Sequence, residues 1–198
     1  MKRRADGVKV GVVVITCSKY ADYLPKVMAS LKAQTRPHDV VVFRNGSFTL
    51  GKAVNHALRG LPNHDYIVRV DGDDWIAPEL LEVESRYLDE HPDIDCVWCD
   101  TVHARLHGSS EHHETYLVEP REETELVNSC GAMNRRRCWE KIGGYADRNH
   151  GENVDFWKRF HAAGFRSERL SEPLYYYRQH ADNMHNDREA VARARAEI

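Results

Sequence analysis

No stretch of the chain comes near the roughly 18 consecutive apolar residues that a membrane-spanning helix needs, so nothing in its 198 residues reads as a transmembrane segment. Nor do the first residues read as a secretory leader. The basic Met1-Lys2-Arg3-Arg4 runs into Ala5-Asp6-Gly7-Val8-Lys9, which is too polar for the apolar centre of a signal peptide. Charge of one sign is not in excess: Lys and Arg number 28 against 31 Asp and Glu, and a net charge of −3 exerts no global pull toward nucleic acid or an anionic membrane. There are five cysteines, Cys17, Cys96, Cys99, Cys130 and Cys138, an odd number without secretory context, which argues against a disulfide framework. No internal repeat or low-complexity block is visible. These absences predict a soluble, cytoplasmic protein with no integral membrane association. The length and the 41% hydrophobic content predict one domain over 1–198, with 1–8 a basic tail and about 186–198 a peripheral tail or helix.

Two clusters invite a metal reading and lose it on inspection. Cys96-Val97-Trp98-Cys99 has zinc-like spacing, but on a strand positions three apart face opposite sides of a sheet, and no second cysteine pair completes four ligands. His103, His107, His112 and His113 sit in the polar, uneven surroundings of His107-Gly108-Ser109-Ser110-Glu111, which read as an exposed loop.

Strands and helices alternate through the first half. Val10 to Ile15 is a nearly continuous β-branched run, as expected of a strand buried on both faces. Leu24, Val27, Met28 and Leu31 recur at helical spacing, with Pro25 tolerated in the first turn. Val40 to Phe43 reads as a second buried strand ending at Asn45-Gly46, followed by a short helix around Ala53 to Leu58. Tyr66 to Val70 is a third strand, a helix opens at Pro78, and Ile94 to Cys99 is a fourth strand. This βαβαβαβ order predicts an α/β fold, a doubly wound and mostly parallel sheet with ligands at the carboxyl ends of its strands. Farther on, a strand from Leu126 to Met133, helices over Arg136 to Ile142 and Glu152 to Ala163, and a β-prone run Leu174 to Tyr177 are expected.

At the end of the third strand stands Asp71-Gly72-Asp73-Asp74, three carboxylates in four residues. Such a cluster repels itself unless a cation sits there. On an extended chain Asp71 and Asp73 project the same way, and all-oxygen ligands favour Mg2+ or Mn2+ of the kind that hold diphosphates. The competing reading is an Asp-Gly turn with solvated charges.

The order of motifs carries a resemblance. Thr16-Cys17-Ser18-Lys19 follows the first strand, Ser30-Leu31-Lys32-Ala33-Gln34-Thr35 closes the first helix, and Asn45-Gly46-Ser47 follows the second strand. Then come Gly51-Lys52-Ala53-Val54-Asn55, Asp71-Gly72-Asp73-Asp74-Trp75, Ile142-Gly143-Gly144-Tyr145, Gly151-Glu152-Asn153-Val154-Asp155 and Tyr177-Arg178-Gln179-His180. From Val10 to about Asn183 the chain resembles the inverting glycosyltransferases of family two, which have the GT-A fold of nucleotide-diphospho-sugar transferases, Rossmann-like in plan. The resemblance implies that Asp71 lies near the ribose and metal, that Asp73 is the more direct metal ligand, that His180 adds a metal contact, and that Mn2+ or Mg2+ is the cofactor. It also places Thr16, Ser18, Asn45, Lys52 and Asn55 on the nucleotide side, although Lys52 reads equally as a solvated surface lysine. The donor is expected to be a nucleotide-diphospho-sugar, with uridine diphosphate as first choice.

Two departures from the family pattern matter. Where relatives carry Glu-Asp with the second acid as base, this chain has Glu152-Asn153, and an amide accepts no proton usefully. Glu152 is therefore the expected base and Asp155 the second choice, the latter competing with a simple ion pair to Arg159. Arg44-Asn45-Gly46-Ser47 lacks the acid often found beside the nucleotide base, and Asn45 offers both a donor and an acceptor in its place. The resulting expectation is a metal-dependent, inverting transfer of a sugar to an acceptor hydroxyl on a glycan, a small molecule or a hydroxylated base in DNA. Arg135-Arg136-Arg137 reads as solvated rather than as a nucleic-acid patch. Alternatives are a catalytically weak nucleotide-sugar binding module, suggested by Asn153, and a nucleotidyltransferase on a related fold.

Overall fold

The computed structural model describes residues 7–107, 110–114 and 130–196. β1 (Val10–Thr16) leads through a short 3-10 turn to α1 (Leu24–Lys32), β2 (His38–Arg44) to α2 (Leu50–Ala57), and β3 (Tyr66–Asp71) to the two-residue β4 (Trp75–Ile76) and α3 (Leu80–Glu90). The remainder is β5 (Cys96–His107), β6 (Ser110–Glu114), β7 (Met133–Arg135), α4 (Arg136–Ile142), α5 (Glu152–Ala162), β8 (Ser167–Gln179) and α6 (Arg188–Ala196).

One eight-stranded sheet runs β2-β1-β3-β7-β5-β8-β4, with β6 paired to β5. β1 is parallel to both β2 and β3, and β5 is parallel to β8, whereas β7 inserts antiparallel between β3 and β5. The sheet is thus mixed: β2, β1 and β3 form one parallel block, where the βαβ pattern is regular, and β5 and β8 form a second parallel pair. Strand alternation divides the core between its two faces: Val12 and Val14 join one cluster, Val13 and Ile15 the other. Cys96 and Cys99 fall likewise into different clusters, and burial pushes both thiols up.

Several expectations need correction. β2 is an edge strand, so alternate residues are open to solvent and Val42 is 41% exposed. The segment expected as a loop around His103 to His113 is a hairpin of β5 and β6, registered from His103↔Glu114 to His107↔Ser110. Strand pairing there overrides the polar composition, because edge backbone needs partners whatever its side chains. The strand expected from Leu126 begins at Met133, and its first part, 126–129, lies outside the described residues, as do positions 115–125 and most of the basic tail. The segment from about 186, expected as a peripheral tail or helix, holds the helix α6, and its Val191 lines the main cavity.

The polar residues at the end of α1 have a mechanical role. The Gln34 side-chain amide donates to the carbonyls of Ala77 and Ser30, and its oxygen accepts from the Leu81 amide at the head of α3. Ser30 Oγ accepts from the Ile76 amide. One helix end thereby fixes β4 and the start of α3 and satisfies a helix-terminal donor.

Candidate functional site

β1 and β3 end side by side, with Ile15 opposite Asp71, and a cavity of about 370 Å³ opens at these carboxyl ends. Thr16, Asn45, Asp71, Asp73 and Glu152 all line it. Asp71 and Asp73 converge through a turn and not through strand alternation: β3 stops at Asp71, whose carbonyl accepts from the Asp74 amide at 3.1 Å. Gly72 makes the turn possible. Its amide donates to the Ile15 carbonyl at 2.8 Å, and a Cβ there would stand 2.5 Å from Thr16 Cβ. Any larger residue would push the turn off the end of β1.

The turn is held from the other side by β8. Asp74, buried, accepts from Tyr175 Oη at 2.6 Å and from the Arg178 amide at 2.8 Å, while Arg178 Nε donates to the Asp73 carbonyl at 2.8 Å. Asp74 is thus an anchor for β8 and does not cap α3. Burial, and then the neighbouring charges of Asp73 and Asp71, push its carboxyl well above the usual range. Asp73 is raised for the same two reasons, burial first and Asp71 second, with the nearby His180 pulling the other way.

Arg69, two residues before Asp71 on the same strand face, is 2% exposed and spans the two acidic regions. Nε and Nη2 donate to the two oxygens of Asp71 at 2.9 and 3.2 Å, and Nη1 donates to Glu152 Oε1 at 3.2 Å. Burial alone would lower the guanidinium, but Asp71, Cys130 and Glu152 outweigh it and hold the group charged. The sequence signal for this clamp was present, since a charged residue in the apolar run Tyr66 to Val70 needs a partner on its own face.

His180 comes from the far end of the chain. Its Nε2 lies 3.0 Å from Asp73 Oδ2, its ring packs on Tyr20 and Tyr23 at centroid distances of 5.5 and 5.0 Å, and Nδ1 is buried without a hydrogen-bond partner. Asn183 fixes the loop by accepting from the His180 amide at 2.6 Å and donating to the Arg178 carbonyl at 3.0 Å. These residues fit a divalent cation. Carboxylate oxygens with one imidazole suit Mn2+ or Mg2+, and such ions commonly take only one or two protein carboxylates and complete their shell with phosphate oxygens and water. That mode agrees with the finding that, among the described residues, no group of three His, Cys, Asp or Glu side chains closes on one point.

Other expected site residues lie elsewhere. Asp155 pairs with Arg159 through Nε at 2.9 Å and is absent from the cavity wall. Asn55 is a structural clamp: its Nδ2 donates to the Tyr145 carbonyl and its Oδ1 accepts from the Tyr145 amide, at 2.8 and 2.9 Å. Lys52 is 56% exposed and sits 3.6 Å from Asp147. Ser18 is exposed in the 3-10 turn, and its neighbours Cys17 and Tyr20 face the cavity instead. Asn45 lines the cavity but also closes its own loop, donating to the Phe48 carbonyl and accepting from the Phe48 amide. Asn153 lines the cavity with its Oδ1 taken by the Val154 amide. Sequence reasoning missed His150, Cys130, Asn183 and Met184, which also line it. They sit on connections whose spacing carries no periodic signal.

Comparison with known proteins agrees with this architecture. EpsE of Bacillus subtilis (strain 168), a glycosyltransferase by name, is 30% identical over 139 residues, which are 67% of this chain and 50% of that protein. The chain thus spans about half the length of this curated relative. In fold it is similar to crystal structures of S. aureus TarS 1–349. The complex with UDP-GlcNAc gives a TM-score of 0.68 at 18% identity, covering 91% of this chain and 61% of that one. The complex with UDP gives 0.65 at 18% identity, covering 94% and 65%. The family model of glycosyl transferase family 2 matches residues 12–136, which hold β1, β3 and the Asp71-to-Asp74 turn, and the chain belongs to that family.

Proposed function

We propose that the chain transfers a sugar from a nucleotide diphosphate to an acceptor hydroxyl with inversion at the anomeric carbon, assisted by Mn2+ or Mg2+. The observation that carries this reading is the convergence of Asp71 and Asp73 on one cavity at the carboxyl ends of β1 and β3, the end of a parallel sheet where nucleotides bind. The cavity volume lies within the range of about 300–1,000 Å³ typical of small-molecule sites. Asp73, joined by Asp71 or backed by His180, would hold the cation with phosphate oxygens and water completing its shell, and a bound cation supplies charge neutralisation to the departing diphosphate. Thr16 and Asn45 border the nucleotide, and Arg69 keeps Asp71 and Glu152 apart and oriented. A UDP-sugar is the first donor class to test, because TarS, similar in fold, was crystallised with UDP-GlcNAc. A glycan, a small molecule or a hydroxylated DNA base remains the acceptor class.

Asn153 favours one second reading, a binding module that holds the donor without turning it over. Incubation with Mn2+ and a panel of sugar nucleotides separates the two. The transferase releases nucleoside diphosphate by slow transfer to water, whereas a module binds and releases none.

A further inference from the structure

Resting on the transferase reading, we propose that His150 is the general base, in the place the family gives to the acid that is Asn153 here. The groups with proton-accepting chemistry on the cavity wall are few, and most are committed. Asp71 gives both oxygens to Arg69, Asp73 has one oxygen against His180, and the buried Glu152 gives Oε1 to Arg69. Tyr20 donates to the Asp182 carbonyl, and burial, followed by the charge of Asp73, keeps its hydroxyl protonated. Burial does the same for the Cys130 thiol and the Tyr177 hydroxyl. His150 is half-buried, lines the same cavity, and has no hydrogen-bond partner among the described residues. Its two ring nitrogens are open to a ligand.

The loop that carries it is built to present it. Thr49 Oγ1 donates to Asp147 at 2.5 Å, the Leu50 amide donates to Asn149 Oδ1 at 2.9 Å, and the Gly51 amide donates to the Arg148 carbonyl at 3.1 Å. Three successive residues are thereby pinned to the head of α2. Immediately after His150, Gly151 adopts φ 71°, a left-handed conformation open to glycine, and turns the chain into α5. His150 thus stands between a pinned loop and a rigid helix, which is how a side chain is held for chemistry. Charged and titratable groups around it are Asp147 and Arg148 on its own loop, Lys52 from α2, Glu152 from α5, and Arg69, Asp71 and Asp73 across the cavity.

In the step assigned to it, the acceptor oxygen forms a bond to the anomeric carbon while the bond from that carbon to the diphosphate oxygen breaks. The electron pair of the broken bond leaves with the nucleoside diphosphate. The acceptor's proton passes to the unprotonated ring nitrogen of His150. A positioned base contributes about 10²–10⁴-fold to such a step.

The test uses the full chain, Mn2+ and whichever UDP-sugar the donor panel shows to be turned over, with water as acceptor and UDP release as readout. His150→Ala should lose kcat by about a hundredfold or more, keep the donor KM and the thermal shift given by UDP with Mn2+, lose the acid limb of the pH profile, and recover rate when imidazole is added. His150→Gln should show the same loss without the rescue. If His150→Ala keeps kcat within a few-fold with an unchanged pH profile, His150 is not the base, and the transferase reading stands without it. If the unaltered chain releases no UDP from any donor, the transferase reading itself fails and this assignment with it. The retained thermal shift separates loss of chemistry from loss of fold.

Discussion

Arg69 shows how much of the site is decided by one side chain. It is a cation inside the sheet, and without it Asp71 and Glu152 would face each other across low-dielectric space with no counter-charge. Removing one partner of a buried ionic cluster costs about 3–5 kcal/mol. Arg69→Met is therefore expected to lower the urea midpoint by that equivalent, and Arg69→Lys to recover part of it. Glu84 is the opposite case, a fully buried carboxyl on α3 whose oxygens make no hydrogen bond of ordinary geometry. Burial raises it well above the usual range. A carboxyl raised in the folded state contributes its stability below the unfolded pKa of about 4.3 and loses it as pH climbs through the folded value. Glu84→Gln stays neutral throughout, so its melting temperature should gain on the unaltered chain as pH rises above the unfolded carboxyl range, until the folded carboxyl ionises. A gap independent of pH would show that Glu84 is not buried in its neutral form. At this scale the type and motif order of Asp71, Asp73, Glu152 and Asn45 led to one place, and all four line the same cavity. Asn55 and Asp155 are instead bonded to Tyr145 and Arg159, because a polar residue in a motif reads alike whether it meets a ligand or the protein itself.

At the scale of elements, glycines mark where segments approach too closely for a side chain. Gly51 opens α2 against the Ala146 carbonyl, and Gly144 lies on Asn55, so the loop that carries His150 is clasped to α2 at two points. A Cβ at Gly51 would overlap backbone, which cannot swing aside. Gly51→Ala is expected to cost about 3 kcal/mol, near the upper end for overpacking, and to lower the melting temperature by about 6–12 °C. Gly72→Ala meets Thr16 Cβ at 2.5 Å and the Ile15 carbonyl at 2.8 Å, neither of which a side-chain rotation moves aside, so a comparable loss of about 3 kcal/mol is expected, with nucleotide binding lost as well. A melting temperature unchanged by either substitution would contradict this assignment of contacts. The helices and the three strands of the N-terminal half were readable because apolar periodicity reports burial directly. The true extent of β8 was not, since it comes from pairing with β4 and β5, far away in sequence, and the β5–β6 hairpin was hidden because its polar residues lack the apolar alternation that marks a strand.

Across the whole molecule, the parallel block of β1 and β3 supplies a cavity at its carboxyl edge, and the second half brings Tyr177 of β8 and Val191 of α6 to its wall, with His180 against Asp73. The cavity lies at the carboxyl edge, where the strand order alone led one to look for it. The insertion of β7 between β3 and β5 was not legible, because its three residues carry no pattern of their own. Among the described residues no helix is long and apolar enough to cross a membrane. The central claim is electrostatic: Asp73, raised by burial and by Asp71, is suited to share a divalent cation with a diphosphate. Calorimetric titration of UDP tests it most directly. Binding should appear with Mn2+, weaken by tenfold or more when the metal is chelated, and vanish in a folded Asp73→Asn variant. UDP binding of equal strength with and without Mn2+, unchanged by Asp73→Asn, would contradict the account.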